Sequence, residues 1–210
     1  MPDSGHDSLG GTEDRQSWCK KLALFGLGVQ GQAHLEALQD ILNFQEIAVV
    51  DTADVSDRCK DLAKQYGIFI HPSTPSEAVT GVDLVVPIKI SKQPVFAGIW
   101  LKPGTSVCAV GTSMPSGSEI DATTRSRSQQ VTIEWKPQIL VEAGEIVMGL
   151  ADKSLSPDGI SDLPEMLAQN SPWQKNADDI ILFKGAGVGL SDLVTARFAV
   201  QGFHSQKQAR

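Results

Sequence analysis

The feature that most restricts the fold is a glycine pattern between a predicted strand and a predicted helix. The apolar run at residues 21–26 leads into Gly26-Leu27-Gly28-Val29-Gln30-Gly31. Residues 31–42 then place apolar side chains at the 3.6-residue spacing of a helix. In this context Gly26 permits a tight turn, Gly28 lets the backbone approach a pyrophosphate, and Gly31 lets the helix pack closely on the strand. The pattern predicts a loop that binds a dinucleotide.

The rest of the chain alternates short apolar runs with helical patterns. Strands are predicted at residues 46–51, 68–71, 82–88, 106–111, 131–135 and within 179–187, and helices at 54–67, 137–144 and 190–200. This alternation is typical of βαβ units. We therefore expect one domain over residues 18–210, an α/β fold with a doubly wound, mainly parallel Rossmann-type sheet and helices on both faces. The polar residues 1–17 are predicted to be a disordered tail.

An acidic residue follows the second predicted strand. Asp51 lies 20 residues after Gly31, where a carboxylate can accept hydrogen bonds from both hydroxyls of an adenosine ribose. The same carboxylate repels a 2′-phosphate, and residues 52–56 contain no Lys or Arg to neutralise one. We therefore expect Asp51 and Thr52 to contribute to a cofactor site that prefers NAD over NADP.

Composition restricts the partners. The net charge is −7 and the isoelectric point about 5.0, which leaves no basic surface for nucleic acid or anionic membranes. The sequence has no run of eighteen apolar residues, no recognisable signal peptide and no cysteine or histidine spacing typical of a metal site. These observations predict a cytoplasmic protein that binds a small-molecule substrate.

Polar residues after two further strands are weaker candidates for catalysis. In open α/β sheets the ligand crevice lies beyond the carboxyl ends of the strands. Lys89 follows the fourth predicted strand, and Thr112 and Ser113 follow the fifth. Lys89 and Ser113 are the first acid/base candidates, although a solvated lysine and a turn serine are the favoured interpretation of each residue taken alone. Glu119 is interpreted as a charge at a helix start or strand edge.

Four segments together resemble the ornithine cyclodeaminase/mu-crystallin family. They are GLGVQGQAHLEAL, LKPGTSVCAVGTSMPSGSEID, VEAGEI and DDIILFKGAGVGLSDLVTA, in the family's order over about residues 20–200. The resemblance implies an NAD(P)-binding domain whose cofactor loop comprises Gly26, Gly28, Val29, Gln30 and Gly31, with Asp51 at the ribose. It further implies that Val110 and Gly111 form the turn beside the nicotinamide, which the segment around Gly187 also approaches.

Three departures from the family pattern accompany this resemblance. Only about twenty residues precede the first predicted strand, so we expect the family's N-terminal lobe, which binds the substrate carboxylate and forms most of the dimer interface, to be missing. Ser113 stands where cyclodeaminases carry a catalytic aspartate, as in the reductase-like branch. Pro87-Ile88-Lys89 replaces the family's threonine-rich turn.

The resemblance favours an NAD-dependent reductase or dehydrogenase that acts on a cyclic imine or amino-acid-like substrate in biosynthesis. Two alternatives stay open: a non-redox isomerase or cyclase that uses Lys89 and Ser113, and a catalytically silent binding subunit. Residues 190–203 are rich in apolar side chains, and soluble monomers rarely expose such a surface. We therefore expect a homodimer.

Overall fold

A computed structural model describes residues 19–169, 176–189 and 191–198. The predicted tail at residues 1–17 lies outside this part of the chain. One eight-stranded, fully parallel sheet has the order β3-β2-β1-β4-β5-β8-β6-β7. The strands are β1 (Lys21–Phe25), β2 (Glu46–Val50), β3 (Phe69–Pro72), β4 (Leu84–Pro87), β5 (Ser106–Ala109), β6 (Ser128–Ile133), β7 (Ile160–Asp162) and β8 (Ile180–Lys184). The doubly wound α/β prediction is confirmed.

Helices cover the sheet and its edges. They are α1 (Val29–Gln39), α2 (Ser56–Tyr66), α3 (Pro75–Val79), α4 (Ala122–Arg127), α5 (Lys136–Glu142), α6 (Gly144–Ala151) and α7 (Leu163–Gln169), with single 3₁₀ turns at Gly98–Trp100 and Pro157–Gly159. Residues 191–198 are also helical. Helix α2 ends at Gly67, whose φ of +68° is a left-handed conformation that favours glycine.

The core consists of two apolar layers, because alternate side chains of a strand point to opposite faces of the sheet. One layer joins β1 and β2 to α1 and α2 through residues such as Leu24, Val49, Leu35 and Cys59. The other joins the central strands to α3, α5 and α6; its members include Phe25, Val85, Val107, Val79, Ile139 and Ile146. The helices therefore enclose both faces, as predicted.

The strand order reverses at β1, which lies between β2 and β4. Phe25, the last residue of β1, pairs with Val50 of β2 on one side and with Pro87 of β4 on the other. The loops that follow these three residues therefore emerge side by side. A ligand crevice forms at such a reversal in open α/β sheets.

The chain contains more helices and strands than the sequence patterns indicate. Helices α3, α4, α6 and α7 and the three-residue strand β7 were not predicted. Strand β6 begins and ends earlier than the predicted range 131–135. Its end is set by Glu134, whose carboxylate accepts hydrogen bonds from the backbone N–H groups of Ala186 and Gly187 at 3.1 and 2.9 Å.

Candidate functional site

The turn after β1 is closely packed against its neighbours. Gly26 has a φ of +101°, and its N–H donates to the carbonyl oxygen of Val50 at 2.9 Å. A Cβ added at Gly26 would lie 2.8 Å from the carbonyl oxygen of Ile88, and one added at Gly31 would lie 2.0 Å from that of Gly26. Both positions need glycine because backbone occupies the space of a side chain.

Gly28 differs from the other two glycines of the motif. It is the N-cap of α1 with a φ of −70°, which any residue can adopt. An added Cβ there would meet no heavy atom of the described residues within 4 Å, beyond its chain neighbours. The first N–H groups of a helix have no partner within the helix, so the amides of Val29 and Gln30 open onto this space. The geometry fits a phosphate group that approaches the helix N-terminus.

Asp51 connects β2 to the glycine turn. Its Oδ2 accepts a hydrogen bond from the Leu27 N–H at 2.8 Å, and its Oδ1 accepts one from the Thr52 N–H at 2.6 Å. Burial raises the pKa of this carboxyl, but the hydrogen bonds from Leu27, Lys89 and Thr52 outweigh that effect and hold the pKa far below its usual range. Asp51 is therefore a carboxylate at neutral pH.

Lys89 extends across the carboxyl end of β1 to reach this carboxylate. Its Nζ lies 3.0 Å from Oδ1 of Asp51 and 3.3 Å from Oγ1 of Thr52. Its Cγ would be 3.1 Å from a Cβ added at Gly26. Residues 52–56 contain no lysine or arginine, but the fold supplies a cation from the end of β4, a strand two positions away from β2 in the sheet.

The turn after β5 lies beside the Lys89 backbone. The Val110 N–H donates to the carbonyl oxygen of Pro87 at 3.2 Å, and Oγ1 of Thr112 donates to that of Lys89 at 3.0 Å. A Cβ added at Gly111 would lie only 2.2 Å from the Lys89 nitrogen. The two loops that line the crevice beyond β4 and β5 are therefore held in direct contact.

The Glu119 side chain connects the loops that follow β4 and β5. The sequence-based interpretation of Glu119 as a charge at a helix start or strand edge is therefore wrong. Glu119 is fully buried, and its carboxylate accepts hydrogen bonds from the N–H groups of Lys89 and Gly111 at 2.7 Å and of Thr112 at 3.1 Å. Burial raises the pKa of Glu119 to about 7, while the hydrogen bond from Lys89 and the charge of Lys184 act to lower it.

Two further buried charges, which were not predicted from the sequence, complete this arrangement. Lys184, at the end of β8, and Glu145, in α6, have fully buried side chains 3.3 Å apart. The Lys184 Nζ also donates to the carbonyl oxygen of Thr112 at 2.5 Å, and Glu145 Oε1 accepts from the Glu119 N–H at 2.8 Å. We call Glu119, Glu145 and Lys184 the buried charge cluster.

The side chains of the two catalytic candidates, Lys89 and Ser113, lie in different parts of the crevice. The Lys89 ammonium points to Asp51 after β2, whereas Ser113 follows β5 on the other side of β4 and is exposed. The assignment of a catalytic role to either residue stays a prediction. Around Gly187, the hydrogen bonds to Glu134 fix the loop after β8 at the same edge of the sheet.

The described part of the chain shows neither a group of metal-ligating side chains nor a membrane-spanning helix. Among residues 19–169, 176–189 and 191–198, no three His, Cys, Asp or Glu side chains are grouped to hold a metal ion. None of the helices in the same ranges is both long and apolar enough to cross a membrane.

A parallel sheet with a glycine turn at its reversal point and an acidic residue after the second strand defines a Rossmann-type α/β domain. Residues 15–207 match the sequence profile of the ornithine cyclodeaminase/mu-crystallin family. The chain belongs to this family, as the resemblance of the four sequence segments implied.

Relatives and solved structures agree with this membership. Ketimine reductase mu-crystallin of Mus musculus is 26% identical over 191 residues, which are 89% of this chain and 56% of the relative. The Δ¹-pyrroline-2-carboxylate reductase of Thermococcus litoralis, solved with NADH and L-proline, superposes with a TM-score of 0.85 at 25% identity and covers 90% of this chain and 60% of that one. A probable ornithine cyclodeaminase from Bordetella pertussis gives 0.84 at 30% identity, with the same two coverages. The chain spans just over half the length of the curated relatives it matches.

Proposed function

We propose that this chain binds NAD(H) at the carboxyl edge of β1, β2 and β4, and that it forms the cofactor domain of an imine reductase. The observation that carries the proposal is Gly28, where the N-terminus of an eleven-residue helix opens onto free space beside a ribose-reading carboxylate. A pyrophosphate fits at Gly28, and Asp51 is placed to accept hydrogen bonds from a ribose.

Each part of the site has a separate task in this proposal. NADH supplies the hydride, so the protein mainly positions the cofactor and excludes water. The Gly26–Gly31 loop holds the pyrophosphate, and the Val110-Gly111 turn lies where the nicotinamide would pack. The buried charge cluster keeps that turn against the Lys89 loop. Ser113 stays a candidate proton donor.

The substrate class rests on the relatives. The relatives include a ketimine reductase that matches in sequence, and a Δ¹-pyrroline-2-carboxylate reductase that matches in fold and was solved with L-proline, the product of reducing a cyclic imine. We infer a cyclic imine or amino-acid-like carbonyl compound as the substrate of this chain, in a biosynthetic reaction.

The Gly28→Ala variant tests cofactor binding apart from folding. Because φ is −70° and the space is open, we expect alanine to leave the free energy of unfolding unchanged. The methyl group would obstruct a pyrophosphate, so the Kd for NADH should rise about ten-fold, equivalent to about 1.4 kcal/mol. Energy transfer from tryptophan to NADH measures the Kd, since Trp135 follows β6 at the same edge of the sheet.

Gly159→Ala is the matched control, because an added Cβ also meets no described atom within 4 Å at that remote position. Equal NADH affinity of Gly28→Ala and the unchanged protein would show that no phosphate lies at the helix N-terminus. If the unchanged protein does not bind NADH at all, the reductase proposal fails, and a non-redox isomerase or cyclase or a silent binding subunit replaces it.

We also propose that the chain forms a homodimer through the helix at residues 191–198. Leu193, Val194 and Phe198 are 67%, 44% and 67% exposed in the structure, and such apolar surface normally mediates association. Light scattering at micromolar concentration should give twice 22.5 kDa, and Leu193→Asp should shift the mass toward the monomer. A monomer for the unchanged chain would refute the dimer.

A further inference from the structure

The position of Lys89 changes the charge at the ribose end of the crevice. Its side chain leaves the end of β4, passes over Gly26 and places its ammonium 3.0 Å from Oδ1 of Asp51. The two side chains are only 26% and 15% exposed, so solvent screens this pair less than a surface ion pair. An aspartate at this position normally presents a full negative charge to the ribose; here a cation balances it.

The ammonium of Lys89 also contacts the residue that follows Asp51. It is 3.3 Å from Oγ1 of Thr52, the residue that follows Asp51. An ammonium group has three donors, and Asp51 and Thr52 use two of them. One donor of the ammonium therefore remains for a ligand group that approaches Thr52.

We propose that Lys89 determines the choice of nucleotide, by making the ribose end accept the 2′-phosphate of NADP(H) as well as the free hydroxyl of NAD(H). This inference rests on the proposed cofactor site and deepens it. Asp51 serves the ribose hydroxyls of NAD(H), while the remaining donor of the Lys89 ammonium serves the 2′-phosphate. The Thr52 hydroxyl donates to Oδ1 of Asp51 at 3.3 Å. The expected preference for NAD assumed an unpaired carboxylate, and the Asp51–Lys89 ion pair removes that assumption.

Two other tasks for Lys89 predict different results. If its ammonium bound the pyrophosphate, which NADH and NADPH share, its removal would weaken both cofactors equally. If the side chain only obstructed the crevice, its removal would strengthen both. A task at the 2′-phosphate is the one that changes the ratio of the two affinities.

The test is the Kd of NADH and NADPH for the unchanged protein and for Lys89→Met. In the unchanged protein we expect the two Kd values to lie within about ten-fold of each other, a difference below about 1.4 kcal/mol. In Lys89→Met the NADPH Kd should rise about ten-fold or more relative to that of NADH, since a charge-assisted hydrogen bond is lost and Asp51 is left unpaired. Lys89→Arg keeps the cation and should retain NADPH binding.

Lys102→Met is the matched control. Lys102 forms a comparable ion pair with Asp83, 2.5 Å between Nζ and Oδ1, at the opposite edge of the sheet. It should leave both affinities unchanged, and thermal unfolding confirms that each variant is folded. If both Kd values stay unchanged in Lys89→Met, or both change by the same factor, this inference is overturned and the reductase proposal stands. Failure of the unchanged protein to bind either cofactor overturns both.

Discussion

Replacing Lys184 by methionine is expected to lower the free energy of unfolding by about 3–5 kcal/mol, the usual cost of removing one partner of a buried ion pair. Methionine has a similar length and an apolar end, so the substitution removes the charge with little change in volume. The Lys184 side chain is fully buried, and its ammonium lies 3.3 Å from Glu145 and 4.0 Å from Glu119.

The cost arises from the carboxylates that stay behind. Among the described residues, Oε2 of Glu145 has no hydrogen-bond partner, so the Lys184 ammonium 3.3 Å away is its compensating charge. Without Lys184, two buried carboxyl groups face each other, and the carbonyl oxygen of Thr112 loses its donor. The Val110-Gly111 turn would loosen as a result, and under the proposed function NADH binding should weaken together with stability.

Urea unfolding followed by tryptophan fluorescence measures the stability change. Lys60→Met is the control, because Lys60 pairs with Asp57 on the surface, where solvent screens the pair and its contribution to stability is small. The double variant Lys184→Met/Glu145→Gln should lose less than the sum of its single variants, since the second change removes the charge that the first leaves unpaired. Additive losses would show that Lys184 and Glu145 do not interact as the structure indicates.

Local patterns were sufficient to predict the fold near the glycine loop. The runs that became β1 and β2 are short and apolar, and the glycines between β1 and α1 have one physical interpretation. Helix α3 was not predicted, although the capping box of Thr74 and Glu77, with Pro75 in the first turn, is a local sequence signal for a helix start. Strand β7 was not predicted either, since three residues are too few to show a period.

The ionic contacts of the site depend on topology and were beyond the reach of local patterns. Lys89 and Asp51 are separated by 38 residues and meet because β4 and β2 flank β1. Glu119 stands in a polar segment with Ser116, Gly117 and Ser118, which resembles an exposed loop. Its carboxylate lies 4.0 Å from the ammonium of Lys184, a residue of a strand much later in the chain, and no spacing rule connects the two.

Glu119→Gln is expected to destabilise the protein by about 1–3 kcal/mol at pH 5, the cost of leaving a buried backbone donor unsatisfied. In the structure Oε1 accepts from the Lys89 N–H, and Oε2 accepts from the N–H groups of Gly111 and Thr112. A glutamine has one acceptor oxygen and one NH₂ group. Whichever way it is oriented, its NH₂ faces a backbone N–H that has lost its acceptor.

The cost of Glu119→Gln should fall as the pH rises from 5 to 8. The pKa of Glu119 is about 7 in the folded protein, above the ordinary value of 4.5 that applies when the chain is unfolded. The folded protein therefore binds an additional proton between these values, and the stability it contributes is lost as the pH rises through 7. Glutamine does not titrate, so the variant lacks this part of the pH dependence.

The difference in unfolding free energy between the unchanged protein and Glu119→Gln isolates this group, because all other titrating side chains are common to both. Measurements above pH 5 also keep Asp51 and Asp83, whose pKa values are lowered, ionised throughout. Glu142→Gln makes the same change on the surface and is the matched control. A difference that is constant from pH 5 to 8 would mean that Glu119 is ionised across the whole range. Its three N–H donors and Lys184 would then outweigh burial, and the pH dependence of the fold would have to arise elsewhere.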